Sequence, residues 1–115
     1  MTGVAVIGTG VISESHIEAY LAFQDRCRII ALYDLVPQKA EALKEKYHLK
    51  DTAVYSDCKE MAERSDICLV SICTPPFTHG ESAVICMKAG KHVLVEKPMA
   101  SSLEECDEMM RVQRE

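Results

Sequence analysis

Residues 4–16 read VAVIGTGVISESH: four apolar residues run into two glycines one residue apart, and a polar mix of helical period follows. A Val- and Ile-rich run without polar alternation is how a strand covered on both faces of a parallel sheet reads. Gly8 permits the tight turn that would end such a strand. Gly10 lets the backbone come close to a phosphate group at the positive end of the next helix. The usual phosphate-binding turn has a third glycine where this chain has Ser13, a residue small enough to keep helix near strand while placing a hydroxyl by the helix start. On this segment alone a dinucleotide cradle and a plain strand-to-helix turn fit equally, because the glycine pattern recurs widely.

The rest of the chain repeats the alternation. Short β-branched runs at 4–7, 28–33, 53–55, 67–72 and 93–95 read as strands, and the first of them starts almost at once, near Gly3. Segments 13–23, 37–47, 57–63, 78–88 and 102–114 read as helices. Pro37 suits a first helical position, where its missing N–H costs nothing. Ala40, Leu43 and Tyr47 then share one face. Thr78 with Glu81, and Ser102 with Glu105, have capping-box spacing, and Gly90 is a natural helix stop. Right-handed crossovers then predict an α/β fold, a doubly wound parallel sheet in the Rossmann-like strand order 3-2-1-4-5.

At 115 residues, with 48% hydrophobic and 27% charged, the sequence has the size and composition of one globular domain over residues 1–115. A net charge of −5 with interspersed signs argues against a nucleic-acid or anionic-membrane partner and for a small-molecule one. No apolar stretch has the length of a membrane span, and the amino terminus does not read as a signal peptide. The six cysteines include no CxxC pair and several sit in apolar runs, so they read as small hydrophobes in a reducing, cytoplasmic compartment.

An independent check on the glycine turn lies further on. A ribose diol needs a carboxylate near the end of the second strand, about 20 residues past the glycines, and IIALYDL supplies Asp34. Its alternative role is a turn residue before Pro37. A carboxylate there repels a 2′-phosphate, and Leu35 and Val36 offer no cation, so NAD is favoured over NADP unless the fold brings up Lys39 or Arg64. Thr74, Pro75 and Pro76 end the fourth predicted strand, on the edge where open sheets bind ligands. No His, Cys and carboxylate set has zinc spacing, and a metal is not expected. His16 and His92 read as packing or hydrogen-bonding residues, His79 as a structural residue at a helix start, and Met87, Met99, Met109 and Met110 as core or interface residues.

The second half, SICTPPFTHGESAVICMKAGKHVLVEKPMA, resembles the Gfo/Idh/MocA oxidoreductases, the family of glucose-fructose oxidoreductase and inositol 2-dehydrogenase. Thr74-Pro75, His79, Gly90-Lys91-His92 and Glu96-Lys97-Pro98 occur in the family's order, and His16 after the glycine turn also fits. Ser13 is the visible departure. The resemblance covers almost the whole chain. It implies pyrophosphate binding at Gly8, Gly10, Val11 and Ile12, adenosine ribose at Asp34, nicotinamide-side contacts at Thr74 and Pro75, and cofactor or orienting contacts from Glu96. It makes Lys97 a catalytic-site residue beside the reacting oxygen. Partial burial would lower the lysine's pKa, and Pro98 would fix its direction.

The resemblance also implies a second α/β domain that holds substrate and supplies an aspartate and a histidine. This chain stops at Glu115, so it reads as the NAD(P)-binding domain truncated at its C-terminal end, either a fragment or a stand-alone form. The expected activity is hydride transfer between nicotinamide and a secondary alcohol or carbonyl of a sugar, inositol or related polyol. The alternatives are a non-catalytic NAD-binding regulatory module and a reductase of a non-sugar substrate. A fifth strand without an outer neighbour would leave an edge open to pairing, hence a homo-oligomer.

Overall fold

Strand β1 (Thr2–Ile7) runs through the middle of the sheet, and Val4, Ala5, Val6 and Ile7 have no exposed surface. The computed structural model describes residues 1–97 and 99–115. In chain order there follow α1 (Val11–Leu21), β2 (Cys27–Tyr33), α2 (Pro37–Lys46), β3 (Ala53–Tyr55), α3 (Cys58–Ala62), β4 (Leu69–Ile72), a 3-10 turn (Pro76–Thr78), α4 (His79–Lys88), β5 (His92–Val95) and α5 (Leu103–Arg114). All strands are parallel in the order β3-β2-β1-β4-β5, as the crossover rule requires.

Side-chain alternation along β1 divides the core. Ala5 and Ile7 pack with Met61, Ala83, Cys86 and Met109 beneath α3, α4 and α5, while Val6 packs with Ile17, Leu32, Ala40 and Leu43 beneath α1 and α2. The β1–β2 register slips once: Val4 faces Ile29 and Ala5 faces Ala31, leaving Ile30 as an extra residue. That bulge turns Ile30 and Ala31 to the same cluster, with Ile29 and Leu32 in the other. Between α1 and β4, the Tyr20 hydroxyl and Ser71 Oγ hydrogen-bond to each other. Among the described residues no buried side-chain nitrogen or oxygen lacks a partner.

Element ends differ from expectation for local reasons. Helix α1 begins at Val11 rather than 13, because Gly10 takes the extended N-cap conformation and Ser13 falls inside the first turn. Strand β4 begins at Leu69 rather than 67, because the chain at Asp66 crosses against Gly3 before the ladder with β1 starts at Val4 and Leu69. Asp57 is the N-cap of α3 rather than its first helical residue, accepting the Lys59 and Glu60 amides, whereas Ser102 caps α5 as its spacing predicts, accepting the Glu105 amide; each contributes about 1 kcal/mol. Gly90 does follow α4, with the Lys91 amide on the Cys86 carbonyl closing the helix end. Strand β5 is not covered on both faces: His92 and Leu94 are exposed, and β4 is its partner.

Candidate functional site

The carboxyl ends of β1, β2 and β4 open into one crevice of about 790 Å³. It lies where the strand order reverses, between β1 and β4, the place at which doubly wound sheets take their ligands. Of the residues singled out from sequence, Gly8, Gly10, Val11, Asp34, Thr74 and Pro75 line it. Ile12 does not; it stands half-exposed on the first turn of α1. Glu96 and Lys97 line a separate depression of about 440 Å³ with Met99, Met109 and Met110.

The two glycines of the turn are required for different reasons. Gly8 has φ +89°, and a Cβ there would stand 2.9 Å from the Cys73 carbonyl carbon and the Thr74 nitrogen. The turn therefore passes so close to the end of β4 that only glycine fits. Gly10 is the opposite case: its φ is −78°, and a Cβ would meet nothing within 4 Å. Ser13, fully buried, donates its hydroxyl to the Gly10 carbonyl at 2.5 Å, and no side chain caps the amino end of α1. Those amides and the positive end of the helix face the space that Gly10 leaves open.

Asp34 follows β2 and makes the turn contact anticipated before Pro37. Its Oδ1 accepts the Val36 amide at 2.8 Å, the turn contact that leads into α2. Its Oδ2 accepts the Thr9 amide at 3.0 Å and the Thr9 hydroxyl at 2.7 Å, tying the glycine turn to β2. Thr9 escaped the sequence reading because the position between the glycines has no spacing rule; its only signal was a polar side chain in an otherwise apolar run. Of the two cations considered, Lys39 lines the crevice. Arg64 does not, being bound to Asp66 and to the Ile30 carbonyl.

The expected Thr78–Glu81 capping box is absent. Thr78 Oγ1 turns back to Thr74 Oγ1 (2.6 Å) and the Pro75 carbonyl (2.8 Å), because the 3-10 turn before α4 folds it onto the loop rather than over the helix. Those contacts and the bond of 2.6 Å between buried His79 Nε2 and the Thr74 carbonyl brace the loop after β4. His79 thus helps hold the Thr74 carbonyl in place. Cys73 also lines the crevice, but burial pushes its thiol up to about 12, which keeps it protonated. All six cysteines are free thiols. Among the described residues no group of His, Cys, Asp and Glu is placed to hold a metal ion.

At the end of β5, Glu96 Oε1 meets His16 Nε2 of α1 at 2.6 Å, a link across 80 positions. His16 is therefore a hydrogen-bonding residue. Lys97 is exposed, so the partial burial anticipated for it is not found here; Pro98 lies outside the described residues. The bond from His16 holds the Glu96 carboxyl below its ordinary value of 4.5. A carboxyl lowered on folding contributes stability that is complete above its unfolded pKa and is lost as pH falls through the folded one. Melting temperatures of wild type and Glu96→Gln should therefore differ at neutral pH and converge as pH drops below about 4. A gap that stays constant would mean the pair contributes no charge-dependent stability.

Residues 2–115 match the Gfo/Idh/MocA oxidoreductase family through its NAD-binding Rossmann fold. The chain is 33% identical over 112 residues to a 4-carboxy-2-hydroxymuconate-6-semialdehyde dehydrogenase of Sphingobium, covering 97% of this chain and 35% of that protein. It is 35% identical over 106 residues to a scyllo-inositol 2-dehydrogenase (NADP(+)) of Bacillus subtilis, covering 92% and 31%. Its backbone superposes on that of myo-inositol dehydrogenase from Lactobacillus casei, solved with NAD(H) and myo-inositol, with a TM-score of 0.91 at 26% identity, covering 97% and 33%. The chain thus spans about a third of the length of the relatives it matches. By the match along its length and the agreement in fold, this chain belongs to the Gfo/Idh/MocA oxidoreductase family as an NAD-binding Rossmann domain.

Proposed function

We propose that the crevice binds a nicotinamide dinucleotide, NAD in preference to NADP, for an oxidoreductase acting on a secondary alcohol or carbonyl of a sugar, inositol or related polyol. Gly10 carries this reading. Neither its backbone angles nor its neighbours demand glycine, whereas a pyrophosphate seated on the uncapped end of α1 does. The chemistry of the lining agrees. Val11, Leu35 and Phe77 leave large apolar surfaces exposed around the crevice, where flat rings would cover them.

The amides following Gly8 and Gly10, including those of Val11 and Ile12, hold the pyrophosphate, Asp34 the adenosine ribose, and Thr74 and Pro75 the nicotinamide side. Glu96, anchored by His16, sets the direction of the chain into Lys97. The Lys97 ammonium stabilises the developing alkoxide on substrate. When bound, the nicotinamide ring supplies the hydride acceptor or donor. Substrate would rest mainly on a second domain, for which the greater length of the relatives gives room.

Lys39 in the lining and the NADP-named relative support some acceptance of NADP. The semialdehyde dehydrogenase likewise supports a non-sugar substrate as second reading. Six free thiols fit a reducing cytoplasm, and among the described residues no helix is long and apolar enough to cross a membrane. The one-sided pairing of β5 and its exposed Leu94 support self-association at that edge.

Calorimetric titration with NAD and NADP tests the reading. Wild type should bind NAD saturably and more tightly than NADP. Gly10→Ala should keep the wild-type melting temperature and lose at least about tenfold in NAD affinity, because a methyl group occupies the approach of the pyrophosphate. Equal affinity in Gly10→Ala, or a folded wild type that binds no dinucleotide, would refute the assignment.

A further inference from the structure

The hydrogen bonds around Asp34 leave an unequal set of groups facing the crevice. A carboxylate has about four acceptor positions. Oδ2 takes the Thr9 amide and the Thr9 hydroxyl, and Oδ1 takes the Val36 amide. Oδ2 is therefore filled and Oδ1 keeps one position. The Thr9 hydroxyl has a single proton, and that proton is directed at Asp34. What Thr9 Oγ1 still has for a partner is lone pairs alone. Both residues line the crevice, so this part of its wall presents two linked side-chain acceptors and no side-chain donor from either residue.

We infer that Thr9 and Asp34 together form a clamp for a vicinal diol, one hydroxyl donating to Asp34 Oδ1 and its neighbour to Thr9 Oγ1. The inference rests on the dinucleotide reading and deepens it: the diol is that of the adenosine ribose, and Thr9 is a second specificity-determining residue beside Asp34. A 2′-phosphate has no proton to give to a wall of acceptors, and its charge would meet the carboxylate. Discrimination against NADP thus comes from the pair rather than from Asp34 alone. Lys39 is the cation in the lining that opposes this preference.

The test is calorimetric titration of this chain with NAD, NADP and two NAD analogues whose adenosine lacks the 2′- or the 3′-hydroxyl. In wild type each analogue should bind about tenfold more weakly than NAD, since each hydroxyl has its own acceptor. Thr9→Val should lose about tenfold for NAD but little for the one analogue that lacks the hydroxyl Thr9 accepts. Thr9→Ser should stay within about threefold of wild type. Three results would overturn the inference while leaving dinucleotide binding intact. They are an unchanged NAD affinity in Thr9→Val, the same loss in Thr9→Val for NAD and both analogues, and a wild type sensitive to one hydroxyl only. The last needs no variant, so a poorly folding Thr9→Val does not shield the proposal. A folded wild type that binds no dinucleotide overturns the underlying reading instead.

Discussion

In the full-length protein, Lys97→Ala should lower kcat by about 10²–10⁴-fold, the range of a positioned proton donor or charge stabiliser, while NAD affinity stays near that of wild type. The structure explains the split. Lys97 leaves the sheet at the same edge as the glycine turn, because β5 runs parallel to β1, yet it lies outside the crevice lining and borders the depression beside α5. The residue is exposed at the end of β5. Its expected contribution is a fixed positive charge beside the reacting oxygen. Steady-state kinetics with the inositols named for the relatives, combined with NAD titration, checks this. Unchanged turnover would remove Lys97 from the reaction, and a parallel loss of NAD affinity would recast it as a cofactor ligand.

Gly3→Ala should destabilise the domain by about 3 kcal/mol or more, enough to unfold a marginal one. A Cβ at Gly3 would sit 2.0 Å from the Asp66 carbonyl oxygen and 2.7 Å from Ile30 Cδ1. The side chain could turn away, but the carbonyl belongs to the backbone entering β4. Relief would have to come from moving that strand's start, where the Cys68 amide binds the Gly3 carbonyl at 2.8 Å. Chemical denaturation of Gly3→Ala beside Gly10→Ala separates the two kinds of glycine. The first should lose stability and the second only affinity, and a stable Gly3→Ala would show that β4 can shift at little cost.

The fold was legible because its signals are local or topological. Apolar runs at 4–7, 28–33 and 67–72 mark buried parallel strands, and the handedness of crossovers leaves few ways to order them. The glycine turn, Asp34 at the end of β2 and the Thr-Pro loop after β4 could be placed on one edge for the same reason: every strand of a parallel sheet ends there. Cap geometry was less legible. Ser102 caps α5 as its spacing predicts, but Thr78, with the same spacing, bonds to Thr74 and Pro75 because a 3-10 turn precedes α4.

Contacts between residues far apart in the chain were not legible at all. Nothing in the spacing of His16 and Glu96 pairs them, and nothing singles out Thr9 as the partner of Asp34. Lys39 and Arg64 were equal candidates for the crevice until packing put one at its wall and the other against Asp66. Periodicity and turn chemistry specify which edge of the sheet a residue reaches, because they act along the chain. Which side chain it meets there depends on strand twist, the bulge at Ile30 and helix packing, and those are set only when the whole sheet is assembled.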